Sequence, residues 1–339
     1  MKLDKLIFFL LLTTSYLLLA TPAAQAASID LGISPPILQI QALPPANIQT
    51  AFAVENGSDE PIQATIELRP FRANPSDNGE VSYLKPNDPL LGANPDIFKK
   101  IQVRENDRVV TTILLGPKQK KTLSLHIGID SRESPSDYYF SILFLTNPQA
   151  NTETSNTTTG GGIGLPVLLS IGPKGKAAAS VTEFSAPLII DHGPVPFTIK
   201  VANKGSYYVT VSGHILIKNM FGQLIGKVDL LPVNVLGQSS RNIPDKKQAD
   251  ENETNALTAY KIEDKEDGTQ LRSPVAVWPE SFLLGPYHAE VIINYADGQP
   301  PVKKSLTFIG LPTTVFVSGL VILSILLLIH RKLKTRLRN

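Results

Sequence analysis

The chain has 339 residues, no cysteine, a formal net charge of +2 and a pI near 8.5. Without cysteine, thiol catalysis, disulfide exchange and cysteine-ligated zinc are excluded. The positive charge sits at the two ends and leaves the stretch between them slightly acidic, so it does not point to nucleic acid.

Residues 1–26 open on Lys2 and Lys5, run through apolar stretches at 6–12 and 16–20, and close on Ala24, Gln25 and Ala26. A basic start, a short apolar centre and a small-residue ending predict a secretory signal peptide, cleaved after Ala26. The rest of the chain is then expected to work outside the cytoplasm.

Residues 27–311 read as β throughout. Segments such as QATIEL, TLSLHIGI, YYFSILFL and HAEVIINY are short, rich in β-branched and aromatic residues, and alternate in period two. Pro, Gly, Asn and Asp break them at short intervals. One phrase occurs twice: FAVENGSDEPIQATIEL at 52–68 and FTIKVANKGSYYVTVSGHILI at 197–217. After each comes an apolar segment with a glycine turn (Gly116, Gly237), then a Tyr opening an apolar strand (Tyr139, Tyr287). A Tyr at that place often hydrogen-bonds back to the preceding loop. The expected architecture is all-β: two tandem immunoglobulin-like β-sandwiches, at 27–177 and 178–311, plus one C-terminal transmembrane helix.

The polar stretch 147–162 resembles a linker, but ending the first unit there would orphan the apolar strand IGLPVLLSIG. It is read as a long hairpin loop, with the boundary in 172–180. Residues 244–273 are charged and poor in large apolar side chains, and are expected to form a mobile insertion outside the core.

Residues 312–330 are apolar and uncharged but for the terminal His330, long enough to span a bilayer as a helix. In the tail 331–339, Arg331, Lys332, Lys334, Arg336 and Arg338 have no acidic partner, a signal for the cytoplasmic side. The expected topology is single-pass in the cell membrane, with both sandwiches extracellular and the tail cytoplasmic.

Signals for chemistry are thin. His126, His192, His214 and His288 stand alone, with no second ligand at metal-binding spacing. NPSDNG at 74–79 begins like a calcium loop, but Lys85 stands where a bidentate Glu is required, so it reads as a turn. Asn56, Asn156 and Asn252 fit the N-x-[ST] pattern. No enzyme, metal or cofactor is expected. Non-enzymatic modules bind through aromatic anchors, which makes Trp278 (the chain's one Trp) and Tyr287 the candidate binding residues. Trp278 is open to two readings, a plug in the sandwich core or an exposed anchor.

VENGSDEPIQATIEL, NPSDNGEVSY and LLGPKQKKTLSLHI in the first unit, and VNVLGQSSRNI and LLGPYHAEVIINYADG in the second, resemble the WxL-interacting proteins of Gram-positive cell surfaces. That resemblance implies a peptidoglycan-binding first domain and a second domain binding host or partner proteins. The expected function is a non-catalytic adhesion or scaffold protein. The alternative is a membrane-tethered chaperone or assembly factor acting by strand addition, favoured by a free apolar edge strand and disfavoured by an edge blunted with Pro or Lys. Pro166 argues for a blunted edge.

Overall fold

A computed structural model describes residues 30–85, 88, 95–146, 161–175, 177–246, 260–264, 270–295, 299–313, 317, 318, 321, 322 and 324–327. The strands of the first unit are β1 (Leu31–Ser34), β2 (Leu38–Ala42), β3 (Ala46–Asn56), β4 (Ile62–Ala73), β5 (Val81–Tyr83) and β6 (Ile101–Glu105). They continue with β7 (Arg108–Val109), β8 (Thr112–Leu115), β9 (Lys120–Ile129), β10 (Ser136–Thr146) and β11 (Gly162–Ile171). One sheet has the order β1-β3-β9-β6-β7; the other runs β2-β11-β10-β4-β5, with β8 on the edge of β4. A 3-10 helix at Pro95–Lys100 is the one helical element of this unit among the described residues.

The second unit starts with β12 (Ala179–Ser185), β13 (Ile189–Ile190), β14 (Val195–Asn203), β15 (Val209–Lys218), β16 (Leu224–Val235) and β17 (Ser239–Asn242). It ends with β18 (Tyr260–Asp264), β19 (Gln270–Pro274), β20 (Ala276–Trp278), β21 (Gly285–Asn294) and β22 (Val302–Gly310). β12-β14-β17, with β20 against β14, faces β13-β22-β21-β15-β16.

Alternation builds both cores. Along β14, Val195, Phe197, Ile199 and Val201 are fully buried, while the residues between them point outward. Each such side chain contributes about 1.5 to 3 kcal/mol relative to exposure. Phe52, Leu125, Phe140, Phe144 and Leu165 fill the first core, and Phe197, Ile215, Trp278, Val291 and Phe308 the second.

The doubled phrase is a doubled topology. In each unit the first strand leaves one sheet for the other and pairs in parallel with the last: β2 with β11, β13 with β22. A buried Asn ends the first strand of each phrase. Asn56 Nδ2 donates to the carbonyls of Glu60, Leu115 and Gly116, and its Oδ1 accepts from Ser58 N at 2.9 Å. Asn203 Nδ2 donates to the carbonyls of Tyr207, Val235 and Leu236, and its Oδ1 accepts from Gly205 N at 2.9 Å. One amide thus satisfies three carbonyls and a turn N–H in both places. As a glycosylation acceptor Asn56 is unsuited, because its side chain is wholly enclosed.

Three expectations change. Residues 244–273 are not wholly a mobile insertion: Tyr260–Asp264 pairs with Gln270–Pro274, and Asp245 is buried, accepting from Val277 N at 2.8 Å. Backbone pairing gives the hairpin order where side-chain composition predicted none. The Tyr that turns back in the first unit is Tyr138, whose hydroxyl donates to Glu133 at 3.2 Å; Tyr139, one residue on, faces the opposite way. In the second unit Tyr287 does turn back, accepting from Leu284 N at 2.9 Å. Pro166 is not on an exposed terminal strand, since β11 lies between β10 and β2; the register with β2 starts at Val167, and 162–166 have no strand partner on that side among the described residues.

Residues 147–160 of the loop and 331–339, with the five tail cations, lie outside the described residues. β10 and β11 do pair antiparallel from Ser136–Ile171 to Leu145–Gly162. Among the described residues no helix is long and apolar enough to cross a membrane; within 312–330, residues 313, 317, 318, 321, 322 and 324–327 are helical.

Candidate functional site: the cleft between the sandwiches

The two proposed anchors are in the core. Trp278 is 5 % and Tyr287 7 % exposed, packed edge to face at 5.8 Å, and both lie against Phe308. An enclosed indole cannot meet a partner, so the core reading of Trp278 is the one the structure takes. The histidines stay apart, and among the described residues no three His, Asp or Glu side chains could share a metal ion. His126 meets Ser124 Oγ at 3.1 Å, a structural contact within β9.

The polar chemistry collects where the sandwiches meet. Asp137, at the start of β10, accepts from Tyr139 Oη at 2.7 Å, from Ser170 Oγ at 2.6 Å and from Tyr208 N at 2.6 Å. Tyr139 Oη in turn accepts from Gly237 N at 3.1 Å. Burial first, and the Asp137 carboxylate second, push the Tyr139 phenol far above its ordinary range; Tyr208 is raised for the same two reasons. Phe71 stacks on Tyr139 at 6.2 Å, and with Leu168 and Tyr208 forms a small apolar cluster of its own.

The NPSDNG turn supplies the second tie. Asp77 sits at φ 57°, its carbonyl accepting from Asn242 N at 2.7 Å. Its carboxylate accepts from Ser240 Oγ at 2.6 Å and pairs with Lys200 Nζ at 3.0 Å. Sequence reasoning found the turn and missed its purpose. The signal was present in the Asn and Asp residues, which tolerate left-handed backbone and can point a carbonyl outward.

Between these ties lies a cavity of about 230 Å³. Phe71, Val81, Pro166 and Leu168 form its apolar wall in the first sandwich; Asn234, Ser239, Ser240 and Arg241 form its polar wall in the second. Arg241 donates from Nη1 to the Asn234 carbonyl at 3.0 Å, while its Nε is enclosed and has no acceptor. Burial lowers its pKa. No carboxylate among the described residues is within ion-pair distance of it; Glu80 stands exposed at the rim. Gly79, at φ 91°, lets the guanidinium lie against the turn, since a Cβ there would come within 2.6 Å of it. A buried donor without an acceptor costs about 1 to 3 kcal/mol, which an anionic or carbonyl group entering the cavity would offset.

No protein-family model matches the chain, and no curated protein matches it. Among solved structures the chain is similar to the class 5 fimbriae chaperone CfaA, at 12 % identity and a TM-score of 0.35, covering 83 % of this chain and all of that one. It is similar to the Pseudomonas aeruginosa CupB2 chaperone at 9 % identity and a TM-score of 0.34, covering 82 % of this chain and 99 % of that one. It is similar to a structure of the Salmonella enterica SafA pilin in complex with the SafB chaperone at 10 % identity and a TM-score of 0.33, covering 83 % and 98 %.

Proposed function

We propose that this is an exported, membrane-anchored, non-catalytic binding protein that holds an extended segment of a partner protein in the cleft between its sandwiches, as an assembly factor does. The observation that carries the reading is Arg241, a guanidinium with an enclosed, unsatisfied Nε facing a half-apolar cavity. Next to it, residues 162–166 of β11 have no strand paired on the side away from β10 among the described residues, and Pro166 already lines the cavity. A segment paired along that edge would lead into the cleft. The apolar run 312–330 is taken as the spanning helix, with the sandwiches outside and the basic tail inside.

An adhesion or scaffold role is the second reading, supported by the blunting of other edges. β12 carries a register shift between Val181 and Glu183, and β16 is capped where Leu231 N donates to the Pro244 carbonyl at 3.0 Å. Peptidoglycan binding by the first sandwich, implied by the resemblance to WxL-interacting proteins, belongs to this reading.

A photo-crosslinking residue placed at Ile163 or Val81 of the full-length chain in cells should yield protein adducts, reduced by Arg241→Gln. The same residue at Val109 or Leu114, on exposed strands of the first sandwich, should not. Retention on purified cell wall, with no adduct at 163 or 81 and no effect of Arg241→Gln, would reject the cleft in favour of the scaffold reading.

A further inference from the structure

The two ends of the second sandwich carry opposite surfaces. One end, with Tyr208, Gly237 and Ser240, holds the first sandwich. At the other end, the β15–β16 turn, the start of β16 and the β20–β21 loop expose Met220, Phe221, Leu224, Ile225, Phe282 and Leu284, at 54, 79, 58, 42, 58 and 54 %. These form one surface. Lys218 pairs with Leu224 on one side and His288 on the other, and a Cβ on Gly285 would come within 2.9 Å of the Met220 methyl. Leu188 and Ile189, 68 and 59 % exposed, adjoin the end of β22 through the pairing of Ile189 with Ile309. Soluble proteins rarely leave so many large apolar side chains together at one end without a partner for them.

The chain itself indicates the partner. β22 ends at Gly310 on this same end, and Leu311 N donates to the Ile190 carbonyl at 2.8 Å. Thr313 donates from its backbone N to Asp191, and from Oγ1 to the same carboxylate at 2.7 Å. The exit is therefore pinned to the sandwich up to residue 313, which leaves no slack between it and the apolar run. Within that run Val317, Val321, Ile322, Ile325, Leu326 and Leu327 are helical and exposed.

We infer that this end of the second sandwich is a bilayer-docking surface, with Phe221 and Phe282 seated in the headgroup region around the point where the chain enters the membrane. The inference rests on the reading of 312–330 as a spanning helix. It explains why, among the described residues of this sandwich, the exposed apolar side chains gather at the exit and not at the opposite end. Lys218 and Glu280 give the rim mixed charge, so the contact is apolar in origin and does not depend on anionic lipid.

The native chain lacks cysteine, so single spin labels can be placed at will. Phe221→Cys, Phe282→Cys, Ile322→Cys and Val109→Cys would be labelled in the full-length chain, reconstituted in phosphatidylcholine vesicles with and without phosphatidylglycerol. Collision with oxygen and with a water-soluble nickel chelate reads depth. The label at 322 should lie in the hydrocarbon. Labels at 221 and 282 should be several-fold less accessible to nickel than the label at 109, with no change when phosphatidylglycerol is added. If 322 is in lipid but 221 and 282 match 109, the docking surface is wrong and the anchor stands. If 322 itself is open to nickel, anchor and docking fall together. Spin–spin broadening between labels at 221 that survives dilution with excess lipid would assign the surface to a second copy of the chain and overturn the inference.

Discussion

Asn56 and Asn203 show how much one side chain can decide. Each amide is enclosed, and each donates to three carbonyls that no other side-chain amide reaches. Asn203→Ala should destabilise the second sandwich by about 2 to 4 kcal/mol, because three carbonyls lose this donor, of which Leu236 keeps Ser239 Oγ, and the turn is lost; a loss below half a kcal/mol, measured by denaturant unfolding, would contradict it. Trp278→Ala should cost about 3 to 5 kcal/mol by opening a cavity against Tyr287 and Phe308, read by calorimetry because the change removes the sole tryptophan signal. Tyr139 ties stability to pH. Its folded pKa is raised, so the folded state keeps a proton that the unfolded chain releases above about pH 10. The Tyr139 contribution is flat below that pH and falls above it, by up to about 1.4 kcal/mol per pH unit for one such group. Tyr139→Phe keeps the ring on Phe71 and removes the ionisation, so its alkaline slope should be shallower than that of the parent.

Among the elements, the 74–79 turn is the one whose role lies farthest from its sequence. Asp77 engages Ser240, Asn242 and Lys200, residues more than a hundred positions away. The Asp77–Lys200 pair is partly exposed, and a double-mutant cycle should give a coupling of about 0.5 to 1 kcal/mol. Asp77→Ala should leave the circular dichroism unchanged while solution scattering reports a larger radius of gyration, since it loosens the joint and not the sheets. Had it unfolded the first sandwich, the turn would be part of that core instead. Elsewhere the alternating segments were readable as strands, and the hairpin across 147–162 followed from counting the strand each sheet needs. β18 and β19 were not readable, because a two-stranded ribbon rests on backbone pairing and needs no apolar stripe.

At the scale of the molecule, the second sandwich has one end for the first sandwich and one for the chain's exit. Protease added outside intact cells should remove both sandwiches and leave a stub of roughly 25 to 30 residues, the length of one spanning helix with its flanks. A chain protected at full length would reverse the proposed orientation, and changing Arg331, Lys332, Lys334, Arg336 and Arg338 together to Glu should weaken it.

By itself the sequence determined the local terms: period-two strands, turn positions, the repeat, and the apolar and basic ends. These depend on neighbours a few residues apart, so composition and spacing display them. Which way a side chain faces across a long separation was left to the tertiary structure. Trp278 and Tyr287 read as candidate anchors until packing enclosed them, and the tyrosine that turns back was read as Tyr139 until the sheet sent Tyr138 to the core and Tyr139 to the cleft. Arg241 gave no signal at all, because an unsatisfied donor exists only once Gly79, Asn234 and the first sandwich have closed around it.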